Sequence, residues 1–306
     1  MKLVSEFRDE KVVKNVLNEL VKITKNNWNI MEVCGGQTHN FLKFGIESML
    51  PDKINLLHGP GCPVCVTDVE FIEKALFLAS KKDVIFCTYA DMLRVPGIEE
   101  DLFQSKAAGA DVRAVLSPLD CIKIAKENPK KEVVFFGIGF ETTAPGNALA
   151  ILLAKKENLK NFSVLSSMVR VPPAIELLLS SPMVKINGFL AAGHVCTVMG
   201  FEEYIPISSK YKVPIVVTGF EPFDLLFGIY QCVKLLEEGK AEVQNAYKRS
   251  VLKEGNIEAK KIIDEVYDIV DRKWRGIGVV PKGGFAIKKK YKDFDAEKKF
   301  NLKGFK

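Results

Sequence analysis

Val133-Val134-Phe135-Phe136-Gly137-Ile138-Gly139-Phe140-Glu141-Thr142-Thr143-Ala144-Pro145 is the stretch that decides the fold. The apolar run at 133–138 has the length of a buried strand. Glycines and a polar tripeptide follow it, and an amphipathic pattern from 145 to 156 reads as a helix. The same order of apolar run, Gly- or Pro-bearing loop and helical pattern recurs along the chain. Predicted strands fall at 28–33, 54–58, 84–89, 112–116, 133–138, 162–168, 187–191 and 214–218. Asp68 stands as an N-cap before apolar residues at helical spacing through Leu76, and 222–238 reads as a further helix. Strands alternating with helices predict parallel sheets covered on both faces. Eight such units suit one barrel or two doubly wound α/β domains with parallel sheets. Two domains are expected, because Asn128-Pro129-Lys130-Lys131-Glu132 interrupts the apolar pattern.

The expected division is 24–128 for the first α/β domain and 129–240 for the second, with 1–23 and 241–306 outside both. An amphipathic helix at 11–23 opens the chain. From 241 to 271 the pattern reads as long and helical, with Val266, Ile269 and Val270 as its last apolar face. These N- and C-terminal helical segments are expected to pack together.

Composition narrows the function. The chain has 306 residues, 47% of them hydrophobic and 27% charged, enough to bury sizeable cores and unlike a disordered chain. The formal charge is +6, but residues 282–306 alone carry nine Lys against three acids, so the first 281 residues are neutral overall. A nucleic-acid-binding surface would spread basic residues over a folded face, so no nucleic-acid partner is expected. The N-terminus, Met1-Lys2-Leu3-Val4-Ser5-Glu6, lacks the apolar core of a signal peptide, and no run approaches about 18 apolar residues. A cytoplasmic protein with reduced thiols and no membrane partner is expected. Its seven Cys are then buried small residues plus reactive or metal-binding thiols, not a disulfide framework.

In open α/β sheets, ligands bind beyond the carboxyl ends of the strands. Applied to the predicted strands, that rule gathers Cys34 and His39 of Cys34-Gly35-Gly36-Gln37-Thr38-His39, Cys62 and Cys65 of Gly59-Pro60-Gly61-Cys62-Pro63-Val64-Cys65, Asp91 and Arg94. It also gathers Glu141, Thr142 and Thr143, then Arg170, His194 and Glu221, so seven strands are expected to deliver polar or reactive residues to one edge. A C-x-x-C facing a helix N-terminus suits redox exchange or metal ligation, since that position lowers a thiol pKa. Gly35 and Gly36 allow close approach at Cys34. Cys87, Cys121 and Cys232 read as packing residues; Cys196 is ambiguous beside His194, and His58 reads as structural at least as readily as a ligand. The stretch 137–143 ahead of a helix suits an anion, but it lacks the Lys of a P-loop. Three chemistries stay open on these residues: a closed Cys₃His zinc site, a general thiol–disulfide oxidoreductase, and a soft-metal assembly site with Cys34 on iron and the C-x-x-C as redox couple.

These motifs, with Arg94-Val95-Pro96-Gly97, Gly139-Phe140-Glu141-Thr142-Thr143, Gly193-His194-Val195 and Gly219-Phe220-Glu221-Pro222, resemble the HypD family of [NiFe] hydrogenase maturation factors, in order from about residue 30 to 225. The resemblance implies a scaffold rather than a conventional enzyme. It would hold iron with the small chaperone HypC while two cyanides and one carbon monoxide are installed, making the Fe(CN)₂CO moiety. Cyanide would come from HypE as a thiocyanate, with the hydrogenase large subunit an indirect partner. Cys34 would ligate the iron, Cys62 and Cys65 would supply electrons, and His39, Asp91 and His194 would be polar groups around the metal. Family members continue beyond the Gly-Phe-Lys at 304–306 into a segment that binds a [4Fe–4S] cluster through four Cys; no Cys follows Cys232 here, so this chain is not expected to hold that cluster. Ala90 and Ala192 stand where the family suggests Gly and Pro.

Overall fold

The computed structural model describes residues 5–302 and 304. Its strands, in chain order, are β1 (Trp28–Glu32), β2 (Ile54–His58), β3 (Val84–Thr88), β4 (Val112–Ala114), β5 (Glu132–Gly139), β6 (Phe162–Met168), β7 (Gly188–Ala192), β8 (Ile215–Thr218), β9 (Val243–Asn245), β10 (Tyr267–Trp274) and β11 (Gly278–Ile287). They form a five-stranded sheet ordered β2-β1-β7-β8-β9, a four-stranded sheet ordered β4-β3-β5-β6 and the hairpin β10-β11. Every pairing in the two larger sheets is parallel. Both sheets start from an inner strand, step one way, then return and grow the other way, the order of a doubly wound sheet. The α/β fold with parallel sheets is therefore as expected.

The eight predicted strands are β1 to β8, with ends moved by at most two residues. They were legible because parallel strands covered on both faces need continuous apolar runs. All residues of β3 and β6 are buried, as are seven of the eight in β5. The helices are equally local in origin. Asp68 caps Val69–Ala79 by accepting the Glu70 N–H at 3.1 Å, and Pro222 opens Pro222–Glu237 behind a capping box of Glu221 and Asp224.

Two expectations are corrected. First, the division does not fall at 128/129. The chain forms one unit from 1–62 and 174–257 and another from 63–173 and 258–306. The polar stretch 128–132 merely connects the helix Pro118–Glu127 to β5, and β5 pairs beside β3 in the same sheet. The actual crossings lie at Cys62-Pro63, inside the helix Val171–Ser180 after Pro173, and at the start of Ile257–Val266. Second, 241–271 is not one long helix. It holds β9, the helix Ile257–Val266 and the beginning of β10. Val266, Ile269 and Val270 do not share a helix face, because a strand begins at Tyr267; β10 turns back through Gly276, whose φ of +80° favours glycine. Residues 241–257 share a unit with the N-terminal helix and 258–306 belong to the other, so the terminal segments do not form one helical layer.

Each unit has its own core. In the first, the helices Glu10–Ile23, Gly35–Lys43 and Pro222–Glu237 bury Leu20, Phe41, Leu225 and Ile229 with Ile30, Leu190 and Val216 of the sheet. In the second, Ile72 and Met92 pack with Phe86, Phe136 and Leu165. Each such side chain contributes about 1.5–3 kcal/mol by leaving water. Among the described residues, no helix is long and apolar enough to cross a membrane.

Candidate functional site

In the first unit the order of strands reverses between β1 and β7, and the ends of these two strands carry Cys34 and His194. Chain connections diverge at such a reversal and leave a crevice for a ligand. Cys34 is the N-cap of the helix Gly35–Lys43, and His194 lies in the first turn of Gly193–Met199. The Cys34 Sγ stands 3.9 Å from the His194 Nδ1. Burial pushes the Cys34 thiol up; the backbone amides of Gln37 and Gly36 pull it part of the way back, and the Glu32 charge opposes them. Burial likewise lowers the His194 pKa, so both members of the pair are neutral near pH 7.

Side chains from neighbouring elements fix this pair. The His194 ring stacks on Phe220, with centroids 3.7 Å apart and planes 14° from parallel, and Phe220 meets the edge of Tyr247. Gln37 is buried and donates from Nε2 to Thr218 O at 3.2 Å, tying the helix to the end of β8. Asn40 donates to Phe220 O at 2.9 Å. Gly36 faces the same pair, and an added Cβ there would touch His194, Phe220 and the Cys34 sulfur at 3.5–3.7 Å.

The loop before Cys62 lies against the Cys34 turn. Gly59 N donates to Glu32 O at 2.8 Å, and Gly35 N donates to Gly61 O at 2.8 Å. A Cβ at Gly61 would come within 2.3 Å of Cys34 N, so only glycine permits this approach. Cys62 and Cys65 are disulfide-bonded, and the other five thiols are reduced. The helix that Cys62 precedes, Pro63–Val66, is a single turn, so the helix dipole expected there contributes little.

Glu32 was not singled out in the sequence, yet it is the hub of this region. It is fully buried; Oε2 accepts the Cys34 N–H at 2.7 Å, while Oε1 accepts the Thr38 hydroxyl and faces His58 Nδ1 at 2.8 Å. The available signal was an acid in phase with Trp28 and Ile30 on the inward face of a strand. Phe220 stands in the Gly219-Phe220-Glu221-Pro222 motif, but stacking under an imidazole has no sequence signature. His58, open to a structural or a ligand role in the sequence, has its Nδ1 on the Glu32 carboxylate. His39 is exposed on the helix Gly35–Lys43, so His194 is the imidazole placed at the thiol.

The remaining residues do not share one sheet edge. Asp91, Arg94, Glu141, Thr142, Thr143 and Arg170 follow β3, β5 and β6 of the second unit, whose own strand order reverses between β3 and β5. Asp91 is exposed, and the Arg94 guanidinium lies 4.6 Å over Phe103. Glu141 is buried and accepts the Val171 N–H at 3.0 Å; the Thr143 hydroxyl donates to Phe140 O at 3.2 Å, and Thr142 is half-buried. Arg170 donates to Lys282 O at 3.1 Å. In the first unit, Glu221 forms a bidentate pair with Arg8.

The donors bear on the metal chemistries. Among the described residues, no three His, Cys, Asp or Glu are grouped to hold a metal ion. A closed Cys₃His site would need Cys62 and Cys65 as thiolates, but both are disulfide-bonded. Cys87 and Cys121 lie in one unit's core and Cys196 and Cys232 in the other's, so these thiols do not fit a four-Cys cluster. Cys34 and His194 are instead two donors standing together, a soft thiol and an imidazole.

The family profile described as "Hydrogenase formation hypA family", HypD, matches residues 10–306. The chain is 42% identical over 310 residues to the "Hydrogenase maturation factor HypD" of Rhodobacter capsulatus, covering 99% of this chain and 82% of that protein. The factors of the same name from Escherichia coli K12 and Cupriavidus necator are each 41% identical, covering 98% and 99% of this chain and 83% of each relative. Together with a Cys34 turn braced against a C-x-x-C loop, this extent of similarity leads to one conclusion: the chain belongs to the HypD family of hydrogenase maturation factors.

Proposed function

We propose that this chain serves hydrogenase maturation as the scaffold on which the Fe(CN)₂CO moiety is assembled. Cys34 holds the iron cargo together with a thiolate from a HypC-type chaperone, and Cys62/Cys65 is the dithiol–disulfide couple that draws cyanide from a HypE-type donor. The observation that carries this reading is the two-donor site itself: a recessed thiol, an imidazole at 3.9 Å, and the Cys62 loop bonded to the thiol's own turn. Two donors leave coordination positions for a partner's sulfur and for cyanide and carbon monoxide, and electron-rich iron of this kind favours thiolate.

The redox balance fits a single dithiol. Two Cys thiols and one thiocyanate, R–S–C≡N, give one disulfide, one R–SH and one HCN. The S–C bond breaks, the sulfur and carbon are reduced together by two electrons, and the Cys pair is oxidised. Cyanide then enters the iron shell as its proton leaves. On this reading the Cys62–Cys65 disulfide is the product of that step, so a second cyanide requires re-reduction by an outside dithiol or electron donor. When iron binds, Cys34 loses its proton, and His194 is the acceptor nearest in geometry. The resemblance makes His39 and Asp91, with His194, polar groups around the iron, and Arg94, Glu141, Thr142, Thr143 and Glu221 are assigned to cofactor binding on the same reading. A cytoplasmic location accords with this chemistry.

The test is Cys34→Ala, co-purified anaerobically with the chaperone. Infrared bands of iron-bound cyanide and carbon monoxide disappear on this reading; their persistence at wild-type intensity overturns it. A general oxidoreductase would instead turn over unrelated dithiols and ignore the chaperone.

A further inference from the structure

We propose that Glu32 is the positioning residue of Cys34, acting with His58 as its donor partner, and that this pair sets how tightly a metal is held at the thiol. The inference rests on the reading of Cys34 as a metal ligand. Glu32 touches no cargo itself. Its carboxylate is fully buried, and three donors surround it: the Cys34 N–H at 2.7 Å, the Thr38 hydroxyl, and His58 Nδ1 at 2.8 Å. Cys34 and Thr38 begin the helix that carries the thiol, whereas His58 ends β2 and leads directly into Gly59.

A buried carboxylate without partners costs several kcal/mol, so it is retained only where its hydrogen bonds are good and fixed. Here they fix the backbone that aims the sulfur. Two main-chain bonds, Gly59 N to Glu32 O and Gly35 N to Gly61 O, lie on either side of the same turn. The side-chain bonds and the main-chain bonds therefore hold Cys34 between the end of β2 and its own helix. His58 keeps its Nδ1 on Glu32, and its other nitrogen lies 3.7 Å from a Glu47 oxygen toward the surface. Residues of this kind, one bond removed from the metal, typically change metal affinity 10–100-fold when altered.

The carboxylate cannot be replaced by an amide without conflict. All three neighbours of Glu32 are donors, and a Gln would turn an –NH₂ toward at least one of them. Removing the His58 donor leaves the buried charge one partner short, from a side chain that is itself partly exposed.

The experiment uses the full chain with its Cys62–Cys65 disulfide intact and Co(II) as the probe, titrated anaerobically through the thiolate-to-cobalt charge-transfer band. Wild type, Cys34→Ala, Glu32→Gln, His58→Ala and His58→Gln are compared, with thermal unfolding as the control for folding. Wild type shows a band that Cys34→Ala loses. Glu32→Gln and His58→Ala bind Co(II) at least about tenfold more weakly, with an altered band. His58→Gln, whose side-chain N–H can reach Glu32, restores wild-type affinity. Wild-type affinity in Glu32→Gln or His58→Ala overturns the positioning role. A band that survives in Cys34→Ala, or is absent from wild type, instead overturns the metal-ligand reading beneath it. If Glu32→Gln does not fold, the contrast between the two His58 variants decides.

Discussion

At the scale of single residues, two glycines beside Cys34 face opposite consequences. A methyl at Gly61 would stand 2.3 Å from Cys34 N and 2.5 Å from its Cα, and main chain cannot yield as a side-chain tip can. Gly61→Ala is expected to destabilise the first unit by about 1–3 kcal/mol, at the upper end if the loop stays docked; a shift of the denaturant midpoint measures it. At Gly36 the same methyl meets His194, Phe220 and the Cys34 sulfur at ordinary contact distance. Within a helix, Ala in place of Gly favours folding by up to about 1 kcal/mol. Gly36→Ala is therefore expected to hold or raise the melting temperature while slowing alkylation of Cys34 by iodoacetamide, followed by mass spectrometry. The sequence placed both glycines in motifs, but not their difference. That depends on which atoms fold back onto them. Glu32 shows the same limit, since an acid at a strand end is unremarkable until Cys34, Thr38 and His58 are seen around it.

At the scale of elements, the helix Pro222–Glu237 ends by clamping the entry to β1. Glu237 accepts the Lys25 and Asn26 N–H groups at 2.8 and 2.9 Å, the Asn26 side chain at 2.9 Å and the Trp28 indole at 2.8 Å. Partial burial alone would raise the Glu237 pKa, but these bonds outweigh it and hold the group at about 2. Because the folded pKa lies below the usual carboxylate value, this stabilisation is present above about pH 4.5 and fades as pH falls toward 2. Water screens part of the effect, so Glu237→Ala is expected to cost about 1–2 kcal/mol at pH 7 and to flatten the acid limb of stability between pH 5 and 2. Urea denaturation across that range checks both. Elements such as β1 were legible because buried parallel strands write themselves as apolar runs. The hairpin β10-β11 was not. Ile269 on β10 is 53% exposed, which blurs the two-residue period up to 271 into a helical one, and β11 is broken by Gly283 and Gly284.

At the scale of the molecule, neither the domain division nor the charge behaves as a linear reading suggests. A sheet chooses its neighbours by tertiary packing, so β1 pairs with β7 from more than 150 residues away while the polar stretch 128–132 divides nothing. The basic tail is likewise partly consumed within the fold: Lys290 pairs with Glu265, Lys298 with Asp295 and Lys299 with Glu132. The thiols are distributed in a way that bounds the chemistry. Cys87, Cys121, Cys196 and Cys232 are each fully buried in the two cores, leaving Cys62 and Cys65 as the one disulfide-bonded pair among the described residues. On the proposed reading, each chain then holds two electrons for thiocyanate cleavage. An anaerobically pre-reduced chain, freed of reductant and given excess thiocyanate-loaded donor, is expected to release one cyanide and stop with its pair oxidised. Cys62→Ser releases none. Cys34→Ala still releases one equivalent, because the ligand is not the reductant, but fails to capture it on iron. Colorimetric cyanide and thiol counts give the answer together. Two cyanides from a chain without added reductant would mean that a second electron source lies within the protein, and the single-couple mechanism would fail. One equivalent per chain instead makes re-reduction obligatory between the first cyanide and the second, and so places an outside electron donor inside the assembly cycle.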